Sequence, residues 1–260
     1  DTPKAPAVLL TPLQKLQQDL SWGVLAMNTN KSTYAPGEAM LFGFGVLDPQ
    51  GRTVCDAKLT LTITVPSEGK EYKLSTDDRQ IASSGQCRLI SVTNLPDYTA
   101  LFRAKETEET YLLRLEAETA YGKRIVEENV RIASSQPFEI VRTSVPTRIY
   151  PGGQYLMRFT VLAKQTFRGE VQEEIPASFT VGSVSNGGRV ESLFAEPKQT
   201  LVWPVSLQSG QTMTFSYTVT FPPESPEAYL LGPIRLSSQD GKSVYQEFKP
   251  WQIAADAYLK

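Results

Sequence analysis

Histidine is absent from all 260 residues, and that absence excludes more chemistry than any other count. Without imidazole there is no Ser-His-Asp or Cys-His nucleophilic site, and the commonest zinc ligand is missing. Cysteine is almost absent as well. Cys55 and Cys87 are the only two, and no C-x-x-C spacing exists for a redox motif or zinc knuckle. Charge of one sign is lacking too: 26 basic residues against 28 acidic ones leave a formal net charge of −2. That balance offers no electrostatic attraction for nucleic acid or an anionic membrane surface. No apolar run reaches the ~20 residues that a membrane-spanning helix requires. No signal peptide is visible, and the Pro/Ala-rich opening DTPKAPAVLL reads as a mature N-terminus or an excised piece.

What remains is the composition of a soluble globular protein, 40% hydrophobic and 21% charged, long enough for two domains. One stretch recurs. Residues 31–47 read KSTYAPGEAMLFGFGVL, and residues 147–162 read TRIYPGGQYLMRFTVL. Each places a tyrosine before a Pro-Gly turn, then a polar residue, then a strand-like apolar run. The repeat predicts two modules that open with the same corner, with Tyr34 and Tyr150 in equivalent positions closing over its end.

The periodicity agrees. KLTLTITV (58–65) alternates cleanly, sending Leu59, Leu61, Ile63 and Val65 inward and Lys58 outward. Further strands are expected at 21–29, 39–48, 71–76, 87–93, 98–104, 111–118 and 124–132, with a hairpin turn at Ala120–Lys123. After the polar stretch ASSQP (133–137), strands are expected at 137–143, 154–163, 169–176, 178–184, 200–206, 211–222, 228–236 and 243–248. Hairpin turns are read at Asn186–Gly188 and Asp240–Gly241. The closing KPWQIAADAYLK has no stop-like polarity and reads as a tail running on toward a further domain. One helix is expected, over 11–20 (TPLQKLQQDL), with Thr11 as cap, Pro12 at the first helical position, and Leu13, Leu16 and Leu20 on one face. Short strands with turn signals every 8–12 residues describe sandwiches. The expected fold is therefore all-β: two tandem Ig-like antiparallel β-sandwiches over 22–134 and 135–260, behind a segment 1–21 with the short helix.

Candidate chemistry is thin. Ser67–Lys70 matches S-x-x-K, but Pro66 and Gly69 put it in a hairpin loop rather than on a helix. Asp48, Asp77 and Asp78 supply oxygen donors without a calcium-loop pattern. Glu173 and Glu174 are adjacent on a strand and so point to opposite faces, which excludes a carboxylate pair. Trp22, Trp203 and Trp251, with Tyr34, Tyr150 and Tyr155, form either a sugar-stacking platform or core and corner anchors; the apolar run around Trp203 favours anchors. A Lys–Asn crosslink would need an inward lysine, and Lys58 points out. No catalytic, cofactor or metal residues are assigned. Cys55 and Cys87 are either two core thiols or a disulfide; both stand at strand starts, which a sandwich can bring to one end, and this favours the bridge and an oxidising compartment.

Two resemblances follow from these motifs. NTNKSTYAPGEAMLFGFGVLDPQGRTVCDAKLTLTITVP, with SSGQC and DYTALFRA, resembles bacterial Ig-like and macroglobulin-type β-sandwich modules, which share a K-x-x-Y-x-P-G-E turn and a D-x-x-G-x-x-V-x-D-A link. Asp97 stands before Tyr98 where those modules have glycine, and no Cys-Gly-Glu-Gln thioester segment is present, so protease trapping is not implied. The second module, with YPGGQYLMRFTV, LVWPVSLQSGQTMTFSYTVTFP and YLLGPIRL, resembles conserved-repeat modules of bacterial surface proteins. The resemblances imply a non-catalytic structural or spacer region of a secreted or cell-surface bacterial protein, extracellular or periplasmic, and bring no cofactor. The implied partners are neighbouring domains of a longer chain or another surface protein. The alternative is an adhesion module that binds a glycan or protein, which exposed tryptophans would favour.

Overall fold

The computed structural model describes residues 22–85, 87, 95–144, 146–192 and 197–256. The expected helix over 11–20 lies outside them, as does all but the first residue of the strand expected over 87–93. Among the described residues the chain forms 21 strands and one short 3-10 turn, Pro66–Glu68.

The first half contains β1 (Val24–Thr29), β2 (Thr33–Tyr34), β3 (Ala39–Leu47), β4 (Lys58–Val65), β5 (Lys70–Ser75), β6 (Ile81–Ser83), β7 (Tyr98–Arg103), β8 (Glu109–Thr119) and β9 (Gly122–Ile132). They build a four-stranded sheet in the order β1-β3-β7-β6 and a five-stranded sheet in the order β2-β9-β8-β4-β5. Period-two patterning decides which side chains go between them. Met40, Phe42, Phe44 and Val46 from β3 meet Leu59, Leu61 and Ile63 from β4 and Tyr111, Leu113 and Leu115 from β8 in a single buried core. Two mainly antiparallel sheets closed on one such core make a sandwich.

The second half contains β10 (Phe138–Ser144), β11 (Arg148–Ile149), β12 (Gln154–Ala163), β13 (Phe167–Pro176), β14 (Thr180–Val184), β15 (Arg189–Ser192), β16 (Lys198–Leu207), β17 (Thr212–Thr220), β18 (Glu227–Leu231), β19 (Ile234–Ser238), β20 (Ser243–Gln246) and β21 (Trp251–Ala255). Its sheets run β10-β12-β17-β14, β15-β16-β13-β19-β20 and β11-β21-β18. A separate core fills this half, centred on Phe159, Trp203 and Phe215, whose ring centroids lie 5.2–5.5 Å apart.

The repeated corner has a structural meaning. Before each Pro-Gly turn, two residues form a short strand parallel to the last strand of their half: β2 beside Arg131 and Ile132 of β9, and β11 beside Ala254 and Ala255 of β21. The inward residue is Tyr34 in the first corner and Ile149 in the second, both buried. The tyrosine equivalence therefore shifts. The two turns are equally long, Ala35 standing where Tyr150 stands in the second, and Tyr34 closes the first by donating to Asn30 Oδ1 (2.6 Å) and accepting from Lys31 N (3.1 Å). In the second, Tyr155 does this work, its hydroxyl accepting from Tyr150 N at 2.7 Å.

Three further expectations change. The strand expected over 228–236 is two strands in different sheets, because Gly232 takes a left-handed conformation (φ +77°) and Pro233 has no N–H to continue a ladder. Asn186–Gly188 does not close a hairpin; it carries the chain from β14 in one sheet to β15 in another, with Asn186 and Gly187 both at positive φ. The closing segment is not a tail: Trp251–Ala255 is the middle strand of the three-stranded sheet.

Candidate functional site at the seam between the two halves

The residues singled out by sequence serve structure. Each tryptophan is buried and gives its indole N–H to a main-chain carbonyl: Trp22 to Gly122 (2.9 Å), Trp203 to Ser185 (3.0 Å) and Trp251 to Pro146 (3.1 Å). Ser67 gives both its N–H and its hydroxyl to the Glu109 carboxylate on β8. Asp48 holds its own turn, accepting from Gln50 N and Arg52 N at 2.8 Å each. Lys58 is exposed. Cys55 and Cys87 are joined as a disulfide with their Cα atoms 5.6 Å apart. Among the described residues no cluster of three or more acidic or cysteine side chains is placed to hold a metal ion.

Buried polar groups concentrate elsewhere, where the outer face of β1 and β3 meets β21. In Phe42-Gly43-Phe44-Gly45-Val46 the large residues go into the first core, so the glycines lie on the opposite face. A Cβ on Gly45 would stand 3.3 Å from Thr147 Cγ2, and one on Gly43 would stand 3.5 Å from Thr147 Oγ1 and 3.1 Å from Pro96. Their bare backbone lets the second half lie flat on the first. Val24, Ala26 and Leu47 of one half and Ala254 of the other form a small dry cluster there.

Hydrogen bonds continue the contact. Alternate N–H groups of β21 point to one edge. Ala254 N donates to Thr147 O (2.8 Å) and Asp256 N to Ile149 O (2.7 Å). One step earlier β11 has run out, and Asn28 of the first half takes over. Its Oδ1 accepts from Gln252 N at 2.8 Å, and its Nδ2 donates to Gln252 O at 2.7 Å. The Gln252 side chain returns the contact, accepting from Met27 N (3.0 Å) and donating to Glu128. A side-chain amide thus acts as the missing residue of a β-ladder across the seam.

Charged groups surround this ladder. Lys249 pairs with Glu128 and Lys31 with Glu139, each joining one half to the other, and Lys31 also holds Glu38 within the first half. Burial alone would push Lys31 down, but Glu139 and Glu38 hold its pKa above the usual range. Burial raises Glu128 against the opposing pull of Lys249. Arg148 of β11 binds two carboxylates, Asp97 of the first half through Nε at 2.9 Å and Asp256 of the second through Nη1. Burial lifts both acids, and Asp256 reaches about 7 because Asp97 adds repulsion to desolvation beyond what Arg148 offsets. Six residues before Arg148, Arg142 is buried inside the second half between Glu173 (2.6 Å) and Glu247 (2.8 Å), and its N–H donates across the seam to Asn30 O.

Sequence reading weighed Glu173 only as half of a carboxylate pair and passed over Arg142, though a signal existed for both. Arg142 follows Phe138 and Ile140 at spacing two, and Glu173 stands between Val171 and Ile175, so both occupy inward-facing positions of apolar strands. Glu174, next along, faces outward to Lys198, as the alternation requires. Ion pairs of this depth add little net stability, but removing one partner is severe.

No family model matches the chain, and no curated protein matches it. Among solved structures, a putative membrane-anchored protein from Corynebacterium diphtheriae is 9% identical over 90% of this chain and 59% of its own, with a TM-score of 0.33. A non-cellulosomal cohesin from Archaeoglobus fulgidus is 13% identical over 46% of this chain and 91% of its own (TM-score 0.31). Trypsin-activated alpha-2-macroglobulin from Escherichia coli is 12% identical over 92% of this chain and 16% of its own (TM-score 0.34). The chain thus spans less than two thirds of the first and the third.

Proposed function

We propose that residues 22–134 and 135–260 are two tandem Ig-like β-sandwich modules locked into one rigid unit, a non-catalytic spacer in a secreted or cell-surface bacterial protein. The observation that carries this reading is the seam: a dry apolar cluster, a side-chain-completed ladder and three groups of buried ion pairs all span the two halves. A flexible tether between independent modules would need none of these, whereas a spacer that must hold its neighbours at a fixed angle needs such a joint. The three buried tryptophans speak against a sugar-stacking platform. The Cys55–Cys87 bridge supports an oxidising location outside the cytosol. Its partners on this reading are adjoining domains of a longer chain or another surface protein, and it requires no cofactor.

Residual dipolar couplings test the rigid joint directly. One alignment tensor should fit the amides of both halves; two tensors of different magnitude would show independent tumbling and remove the basis for the spacer.

A further inference from the structure

Three cations, Lys31, Arg148 and Lys249, reach across the seam to carboxylates of the other half, and they are not equivalent. Lys249 and Glu128 are matched one to one, and Gln252 adds a bond to the same carboxylate. Lys31 has two acids, but Glu139 also lies 3.8 Å from Lys164, and Glu38 and Glu139 both keep about three tenths of their side chains in water, where charge is readily screened. Arg148 differs from both. Its own side chain is 3% exposed, and its acids are exposed by 1% at Asp97 and 12% at Asp256. One buried guanidinium cannot neutralise two buried carboxylates, so this group carries a surplus negative charge largely removed from solvent.

The hydrogen bonds show where that surplus is relieved. Asp97 is satisfied through both oxygens as an anion, Oδ1 accepting from Arg148 and Oδ2 from Val46 N at 3.2 Å. Asp256 is not. Its Oδ2 accepts from Arg148, while Oδ1 is buried with no partner among the described residues. The groups that face Asp256 are Arg148 from β11, Asp97 from the segment ahead of β7, and Tyr155 from β12. Arg148 is the one cation among them.

We propose that the seam closes with uptake of one proton from solvent onto Asp256, so that the joint between the halves tightens as the surroundings become more acidic. The inference rests on the reading of the seam as a rigid joint. When the halves part, Asp256 is rehydrated and ionises in the ordinary carboxylate range near 4. In the closed seam it keeps its proton to about 7. The closed state therefore binds one more proton between these two values. Its advantage is complete below pH ~4, declines through the window, and is gone above ~7.

Backbone hydrogen exchange reads this without added probes. The Gln252 N–H is bonded to Asn28 of the other half and reports the seam, while the Ala254 N–H is bonded to Thr147 of its own half and serves as control. In the wild-type chain the Gln252 protection factor should fall about tenfold per unit from pH ~5 to ~7 while that of Ala254 holds steady, as one coupled proton requires. In Asp256→Asn, the uncharged isostere, Gln252 should stay protected throughout. A flat wild-type profile overturns the proposal, and so does an equal fall in the variant, which would put the proton on Glu128 or another acid. Gln252 unprotected at every pH would instead sink the rigid joint itself. Should Asp256→Asn fail to close at all, the wild-type carboxyl ¹³C titration decides: a pair that keeps one proton to near 7 upholds the proposal, and a pair fully ionised by pH 5 ends it.

Discussion

Asn28 and Gln252, 224 residues apart in sequence, are joined by two hydrogen bonds in which a side-chain amide stands in for a strand. The pairing needs one donor and one acceptor at fixed spacing, which asparagine supplies and few other side chains can. Replacing Asn28 with Ala leaves the Gln252 N–H and C=O buried without partners, at roughly 1–3 kcal/mol for each group. Asn28→Ala should therefore lower unfolding free energy by about 2 kcal/mol or more in urea titrations. Asn28→Asp should do no better, because a carboxylate cannot donate to the Gln252 carbonyl. Equal stability for all three chains would show that the seam does not contribute to the fold.

Gly45 tests the same contact by bulk. Its missing Cβ leaves space for Thr147, while Phe44 and Val46 beside it point into the first core. Gly45→Val should part the halves, at about 1–3 kcal/mol for an overpacked contact, yet leave the interior of the first sandwich in place. The expected signature is lost exchange protection at Gln252 with retained protection at Leu61 and Leu113. Loss at all three sites together would mean that the first half does not stand without the second.

Local patterning carried most of the strands, because half-buried strands write their two faces into alternate residues; β4 and β12 run as their alternation predicts. It failed where long-range contacts decide. The run 228–236 is apolar except for Arg235, so nothing but the Gly232-Pro233 step marks its division between two sheets. Trp251–Ala255 reads as a tail because its partners, β11 and β18, lie about a hundred residues and about twenty or more residues away, respectively, so no local pattern announces them. The seam was hidden for a related reason. Gly43 and Gly45 look like gaps in a strand until the surface that fills them is known, whereas Arg142 and Glu173 did break their local pattern and could have been singled out as buried charges.

That internal group makes its own prediction. Arg142 serves Glu173 and Glu247, and Glu173 Oε2 has no hydrogen-bond partner among the described residues. Removing the cation strands two acids in the core, so Arg142→Met should cost about 3–5 kcal/mol. Glu173→Gln should be mild. Burial raises the Glu173 pKa, so the folded chain keeps a proton that the unfolded chain releases above pH ~4.3. Stability from this group is complete below that pH and declines as pH rises toward its folded value. The Gln variant should match the wild type at pH 4 and exceed it at pH 8, as read by urea unfolding at both; a variant weaker at pH 8 would show Glu173 to be a bound anion instead.

The Cys55–Cys87 bridge ties the segment before β4 to the segment after β6, enclosing β4, β5 and β6 in one covalent loop. Such a loop limits the unfolded chain, and for a span of 32 residues the chain-entropy model gives about 3–4 kcal/mol. Intact mass under denaturing, non-reducing conditions should fall two hydrogens short of the sequence mass and recover with reductant. The reduced chain and Cys55→Ala/Cys87→Ala should then lose similar stability. Tyr98 limits that loss to the covalent constraint: its hydroxyl donates to Val54 O (2.7 Å) and accepts from Ala57 N (3.0 Å), pinning the Cys55 side of the loop independently of the sulfur. Adding Tyr98→Phe to the double variant should deepen the loss further, while a sequence mass with no deficit would remove both the bridge and the case for an oxidising compartment.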